Sequence, residues 1–199
     1  MSPQPNLDSR LTSEYSPEER RSLLALAHDS IAAAINGRSI VTTAPSEHLA
    51  EHRGAFTTLT IGRELRGCVG YVFPSYSLYR TVAETAVAAA MHDTRFSPVT
   101  PEELPKLEYE ISVLSPLQTI DPEDVEVGKH GLVVTFGGRR GLLLPQVPVE
   151  HGWDRETFLS QTCVKAGLPQ DAWERGAEVQ AFTAEIFGSE EKTSHGSHG

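Results

Sequence analysis

Ala55-Phe56-Thr57-Thr58-Leu59-Thr60-Ile61, Gly62-Arg63-Glu64 and Leu65-Arg66-Gly67-Cys68-Val69-Gly70-Tyr71-Val72-Phe73 form one continuous stretch, and its reading decides the fold. The first seven residues read as a strand, the next three as a turn, and the last nine as a second strand, so the stretch is an antiparallel hairpin. Its second strand carries glycine at 67 and 70. Glycine inside a strand weakens it and marks a bulge or a close approach by another group. Pro74 and Ser75 close the strand.

Upstream, Ser16-Pro17-Glu18-Glu19 has the form of a capping box with proline at the first helical position. Leu23, Ala27, Ile31, Ala34 and Ile35 then recur at helical spacing, and Gly37 supplies a stop. Downstream, Ser77 or its neighbour caps a helix to about Met91 whose run of alanines implies tight packing on a sheet. Thr100-Pro101-Glu102-Glu103 heads a single turn, and Leu107 to Leu114 alternates as a strand. Leu132–Phe136 and Arg139–Leu144 flank a Gly137-Gly138 turn suited to a hairpin. Asp154 caps a helix to about Ala166, ended by Gly167, and Val179 to Phe187 reads as one last strand. Hairpins without regular strand–helix–strand alternation predict an α+β fold. Its mainly antiparallel sheet is built from hairpins and flanked by helices. Residues 13–187 are expected to form a single domain, after a loose arm at 1–12. Residues 188–199, ending in Ser-His-Gly-Ser-His-Gly, are expected to be a disordered end or an expression remnant.

With 199 residues, 39% of them hydrophobic and 22% charged, the chain can bury a full core. A net charge of −10 argues against nucleic acid as a partner, because displacing counterions from phosphates needs a cationic surface. The start of the chain lacks the apolar segment of a signal peptide, and no apolar run could span a bilayer. Two cysteines, Cys68 and Cys163, make no disulfide framework. A cytoplasmic protein with free thiols and no membrane contact is expected.

Three runs together resemble the AMME-region family, the AMMECR domain. They are Leu65-Arg66-Gly67-Cys68-Val69-Gly70; Asp93-Thr94-Arg95-Phe96-Ser97-Pro98-Val99-Thr100-Pro101-Glu102-Glu103-Leu104 leading into Glu108-Tyr109-Glu110-Ile111-Ser112-Val113-Leu114; and Gly131-Leu132 through Gly138-Arg139-Arg140-Gly141 to Leu144-Pro145-Gln146-Val147, followed by Lys165-Ala166-Gly167-Leu168 and Trp173. The resemblance runs from about Ser16 to Phe187 and departs from the family pattern at Val69 and Thr94. It implies an antiparallel sheet, a smaller second lobe, and the Arg-Gly-Cys motif near a cleft between them. It also implies a system whose other members are a Memo-like protein, similar to non-haem iron dioxygenases, and a radical SAM enzyme. It carries over no established reaction and no cofactor.

The residues of the motifs suggest chemistry of their own. Cys68 is a candidate nucleophile or redox thiol if a cation or backbone N–H groups favour its thiolate; otherwise it is a small buried side chain. Arg66 suits a carboxylate or phosphate, with an internal salt bridge to Glu64, Asp93 or Glu108 as the alternative. Gly67 and Gly70 would let a ligand approach the backbone. If Arg140 and Gln146 line the same cleft as Arg66, an anionic small molecule becomes a plausible ligand. Asp93 and Arg95 are read as a structural pair or a helix cap. Glu108 and Glu110 face one way along their strand, as wet-face carboxylates unless a pocket covers them. His48-Leu49-Ala50-Glu51-His52 matches an inverted zinc-peptidase pattern, but it falls in a connection too short for the helix that chemistry needs, so no metal is assigned. Two readings stand: a small enzyme or enzyme subunit using Cys68, and a non-catalytic adaptor presenting the same cleft.

Overall fold

The computed structural model describes residues 13–189. Ser16 Oγ accepts from the Glu19 amide while the Glu19 carboxylate accepts from the Ser16 N–H, so the capping box starts α1 (Pro17–Ile35) where it was expected. A single helical turn, α2 (Glu47–Ala50), precedes the hairpin of β1 (Ala55–Ile61) and β2 (Glu64–Tyr71). Helix α3 (Leu78–Met91) and strand β3 (Glu108–Leu114) follow. The chain continues through β4 (Gln118–Thr119), β5 (Gly131–Phe136), β6 (Arg139–Leu143), α4 (Gln146–His151), α5 (Arg155–Lys165), β7 (Glu178–Phe182) and β8 (Ala184–Gly188). Among the described residues no helix is long and apolar enough to cross a membrane.

The strands make two antiparallel four-stranded sheets, ordered β2-β1-β3-β8 and β4-β7-β5-β6. The α+β reading therefore holds, with a second lobe. In the first lobe α1 and α3 lie on one face of the sheet. Leu23, Ile31, Val82 and Ala86 bury against Leu59 and Ile111 there. A buried Thr57 Oγ1···Thr85 Oγ1 hydrogen bond of 2.9 Å ties β1 to α3. In the second lobe Phe158, Leu159 and Cys163 of α5 pack on Leu132, Val134 and Val179. Leu114, Val133 and Phe182 form a third cluster between the two sheets, joined by Phe56, Leu142 and Leu144.

The carboxy-terminal strand differs from expectation. Residues 179–187 do not form one strand: β7 belongs to the second sheet and β8 to the first. The change occurs at Thr183, whose N–H donates to Ser115 Oγ at 2.9 Å and whose carbonyl accepts from the Ser115 N–H at 2.9 Å. This break at Thr183 lets Val179 and Ala181 serve the second core while Phe187 serves the first. Gly188 and Ser189, expected to lie in the tail, join the first lobe. Gly188 still pairs with Glu110, and Ser189 exchanges hydrogen bonds with the Tyr109 backbone. The expected arm at 1–12 and the tail from 190 lie outside the described residues.

The alanines of α3 do what their spacing implies. Ala89 brings the helix backbone against β2 so closely that a Cβ at position 67 would overlap its carbonyl oxygen. A Gly67→Ala substitution should therefore force strand and helix apart and cost about 1–3 kcal/mol, the usual scale of overpacking. Urea unfolding monitored by circular dichroism should show the midpoint fall with an unchanged slope.

Candidate functional site

The site is built on a register shift. Ile61 pairs with Glu64 and Thr60 with Leu65, and that count, continued, would set Cys68 opposite Thr57 on the helix-facing side. Instead the register slips by one between Leu59 and Thr60, so that Leu59 meets Gly67 and Cys68 meets Thr58. Arg66 is the extra residue of this bulge. A one-residue slip turns every following side chain over. Cys68 thus leaves the core face and points, half-buried, to the opposite side.

There its Sγ lies 3.2 Å from Thr58 Oγ1. Thr58 is in turn paired across β1 and β3 with Glu110, so thiol, hydroxyl and carboxylate form one row on one face of the sheet. This row floors a cavity of about 310 Å³. Phe56, Leu114 and Ile186 wall it from the first sheet, and Leu144, Pro145 and Gln146 close it from the second lobe. A larger groove of about 520 Å³ lies between α1, α3 and the 38–42 connection, but neither cysteine lines it.

Cys68 sits on the outer strand of its sheet, where its backbone groups would face water. An ion pair takes the place of the missing strand. Asp93 Oδ2 accepts from the Cys68 N–H at 2.9 Å, and Arg95 Nη2 donates to the Cys68 carbonyl at 3.2 Å. The two side chains bond each other at 2.7 and 3.0 Å. The Arg95 guanidinium, followed by the Cys68 N–H, holds the Asp93 carboxyl far below the usual carboxylate range. Asp93 and Arg95 are a pair, as one of the two expectations had it. The cap of α3 falls instead to His92.

Arg66 is engaged within the protein, by none of the carboxylates suggested from sequence. Its Nε and Nη2 bond the two oxygens of Glu103 at 2.8 and 2.9 Å, and Nη2 reaches the Pro98 carbonyl at 3.3 Å. Arg66, together with the Thr100 N–H, lowers the Glu103 carboxyl to about 2. The bulge is thereby tied to the turn that follows α3. Space at the two motif glycines is also filled from within. The Ala89 carbonyl lies against Gly67, and the Phe56 ring covers Gly70. Gln146 does line the Cys68 cavity, whereas Arg140 stacks its guanidinium 4.8 Å from the Phe73 ring centroid and donates to Thr135 Oγ1 at 3.3 Å. Glu108 accepts from Thr60 Oγ1 at 3.3 Å on the exposed surface. Glu110, read as a wet-face carboxylate unless a pocket covers it, does line this cavity, and Thr58 and Phe56 complete the site without having been singled out for it. The strand alternation of 55–61 signals which of them share a face, but their position beside Cys68 depends on the bulge.

The architecture around this motif has relatives. The AMMECR1 family profile matches residues 24–187. The chain belongs to that family. A Methanopyrus kandleri protein is 43% identical over 186 residues, spanning 87% of this chain and 90% of its own. A Thermococcus gammatolerans protein is 49% identical over 152 residues, spanning 70% and 74%. The crystal structure of an uncharacterized protein from Pyrococcus horikoshii superposes with a TM-score of 0.70 at 42% identity, covering 85% of this chain and 90% of that one.

The histidine motif folds differently from a peptidase site. Only one helical turn forms at 47–50, and His52 leaves it to bridge Ser77. His48, Glu51 and Glu14 do converge, with candidate ligand atoms within 4.8 Å of one another. Arg53 already neutralises that group, bonding Glu14 at 2.6 Å and Glu51 at 2.8 Å. His48 stacks on Tyr15 with centroids 4.8 Å apart, and its Nδ1 is 2.7 Å from Glu19 Oε1. That hydrogen bond raises the His48 pKa. A raised folded value stabilises the protein fully below the ordinary imidazole pKa of about 6.5, and the contribution fades as pH rises through the folded value. The variant His48→Gln should therefore lose about 0.5 kcal/mol more stability at pH 5.5 than at pH 8.5, the scale of a partly exposed ion pair. Paired urea titrations at the two pH values measure the difference.

Proposed function

We propose that this protein is a small enzyme, or the subunit of one, that works at the cavity between its two sheets through the Cys68 thiol. One observation carries the reading: a bulge turns Cys68 out of the core and onto the floor of that cavity. A thiol wanted only for packing would be better placed in a core, as Cys163 on α5 of the second lobe is, fully buried. Two further features support chemistry over packing. The Asp93–Arg95 clamp fixes the Cys68 backbone, so the thiol is held in place rather than left on a fraying edge. Thr58 Oγ1 lies within hydrogen-bonding distance of the Cys68 Sγ, and Glu110 is the cross-strand neighbour of Thr58 on the same face, so the thiol shares its row with a hydroxyl and a carboxylate. A Memo-like protein and a radical SAM enzyme, the partners that the resemblance implies, belong to the same proposal as the companions of any reaction.

The competing reading, an adaptor without turnover, draws on a different observation. Among the described residues no cationic side chain lines the cavity, and cations are what usually activate a cysteine. Arg66, two residues away in sequence, and Arg95, which donates to the Cys68 carbonyl, are engaged by Glu103 and Asp93.

Iodoacetamide labelling followed by mass spectrometry separates the two. In the native protein Cys68 should be alkylated at least as fast as a free thiol, while Cys163 reacts only on unfolding. Cys68→Ser should leave the melting temperature nearly unchanged and abolish any activity seen with a partner. A Cys68 that stays silent until the protein unfolds, or a Cys68→Ser variant that loses much stability yet keeps activity, would overturn the enzyme reading in favour of the adaptor.

A further inference from the structure

The electrostatics of the Cys68 cavity specify the kind of molecule it can hold. Among the described residues that line it, only two carry ionisable side chains, Cys68 and Glu110. The cavity lies in a chain of net charge −10, and Glu108 adds a second carboxylate two residues along the same strand face. Each arginine of the sequence motifs that could have reversed this sign is occupied. Arg66 forks onto Glu103, Arg95 onto Asp93, Arg139 donates to the Gly167 carbonyl, and Arg140 lies over Phe73. The remaining lining is apolar, from Phe56, Leu144 and Ile186, with Ser112 and Gln146 as neutral hydrogen-bonding groups. An anion brought here would meet a carboxylate and find no cation to offset its desolvation.

We infer that the ligand of this cavity is a small organic cation, a primary ammonium on an apolar body, seated with its charge on Glu110 and its apolar part between Phe56 and Leu144. The inference rests on the reading of this cavity as the functional site, and it reverses the sign of the ligand that the arginine-rich motifs suggest. The volume of about 310 Å³ is at the small end of ligand pockets, which fits a compact amine better than a folded partner. Glu110 stands in the same row as Cys68 but two strand spacings away, roughly 10 Å, so the ammonium brings a positive charge into the cavity without contacting the thiol.

Two probes of matched shape and opposite charge test the assignment: benzylammonium and benzoate, titrated into the ¹⁵N-labelled full chain. Benzylammonium should shift the amide resonances of Thr58, Cys68, Glu110 and Ser112 saturably, and benzoate should leave them in place. Glu110→Gln should weaken benzylammonium binding about two- to fivefold, the scale of an ion pair to an exposed carboxylate, while Cys68→Ser should retain it. Absence of saturable benzylammonium shifts, equal binding of benzoate at these residues, or unchanged affinity in Glu110→Gln would each overturn the inference. The Cys68→Ser arm separates it from the enzyme reading. Amine binding that survives in a protein whose Cys68 proves unreactive leaves the ligand class standing and removes only the thiol chemistry.

Discussion

A single extra residue in β2 governs the arrangement of this molecule. Without the bulge at Arg66, the pairing that starts at the Ile61–Glu64 turn would carry Cys68 to the helix side of the sheet, and Gly67 would no longer meet Ala89. A bulge is a local loss, because it leaves one residue unpaired in the ladder. Here the loss is offset by a two-pronged salt bridge, since the unpaired residue is the arginine that Glu103 grips through both oxygens. The same turn after α3 supplies Asp93 and Arg95 to the neighbouring backbone. One connection therefore secures the bulge, replaces the missing strand at the sheet edge, and orients the thiol.

Arg66 and the motif glycines show how structural and functional demands share a short run of sequence. An arginine in an apolar strand invites the idea of an anion, and glycine beside it invites the idea of close approach. Both demands are met from within the chain. The anion is Glu103, and what approaches is a helix carbonyl at one glycine and an aromatic ring at the other. The residue left facing the cavity is the cysteine between them.

Much of the architecture could be read directly from local signals. Capping chemistry at Ser16 and Asp154, alanine periodicity in α3 and the paired glycines at 137 and 138 located their elements because each acts within a few residues. What could not be read depends on contacts distant in the chain. The transfer of 178–188 from one sheet to the other is set by Ser115, nearly seventy residues away, and nothing in the alternation of Val179 to Phe187 marks it. The cavity suffered the same blindness. Cys68 and Gln146 were legible as motif residues, but Thr58 and Glu110 join them only through a register that the bulge shifts. Arg66 and Arg140 drop out of the cavity for partners no spacing rule reveals. Residue chemistry was visible in the sequence, whereas the sign of the cavity's charge emerged only once each arginine had been followed to its partner.

The placement of β8 bears on how such a chain is made. The first lobe's sheet is not closed until its last strand, residues 184–188, lies along β3. That strand also carries Glu185, which accepts from the Ser13 hydroxyl and from the Glu14 and Tyr15 amides just ahead of α1. A chain growing from the ribosome can form α1, the β1–β2 hairpin and α3 early, but the lobe they belong to waits for residues 184–188 to emerge. Until then the β3 edge is open to any passing strand, and the strands and helix of the second lobe are synthesised while the first lobe is still incomplete. The strand made after the second core thus completes the first and fastens the residues that lead into its first helix.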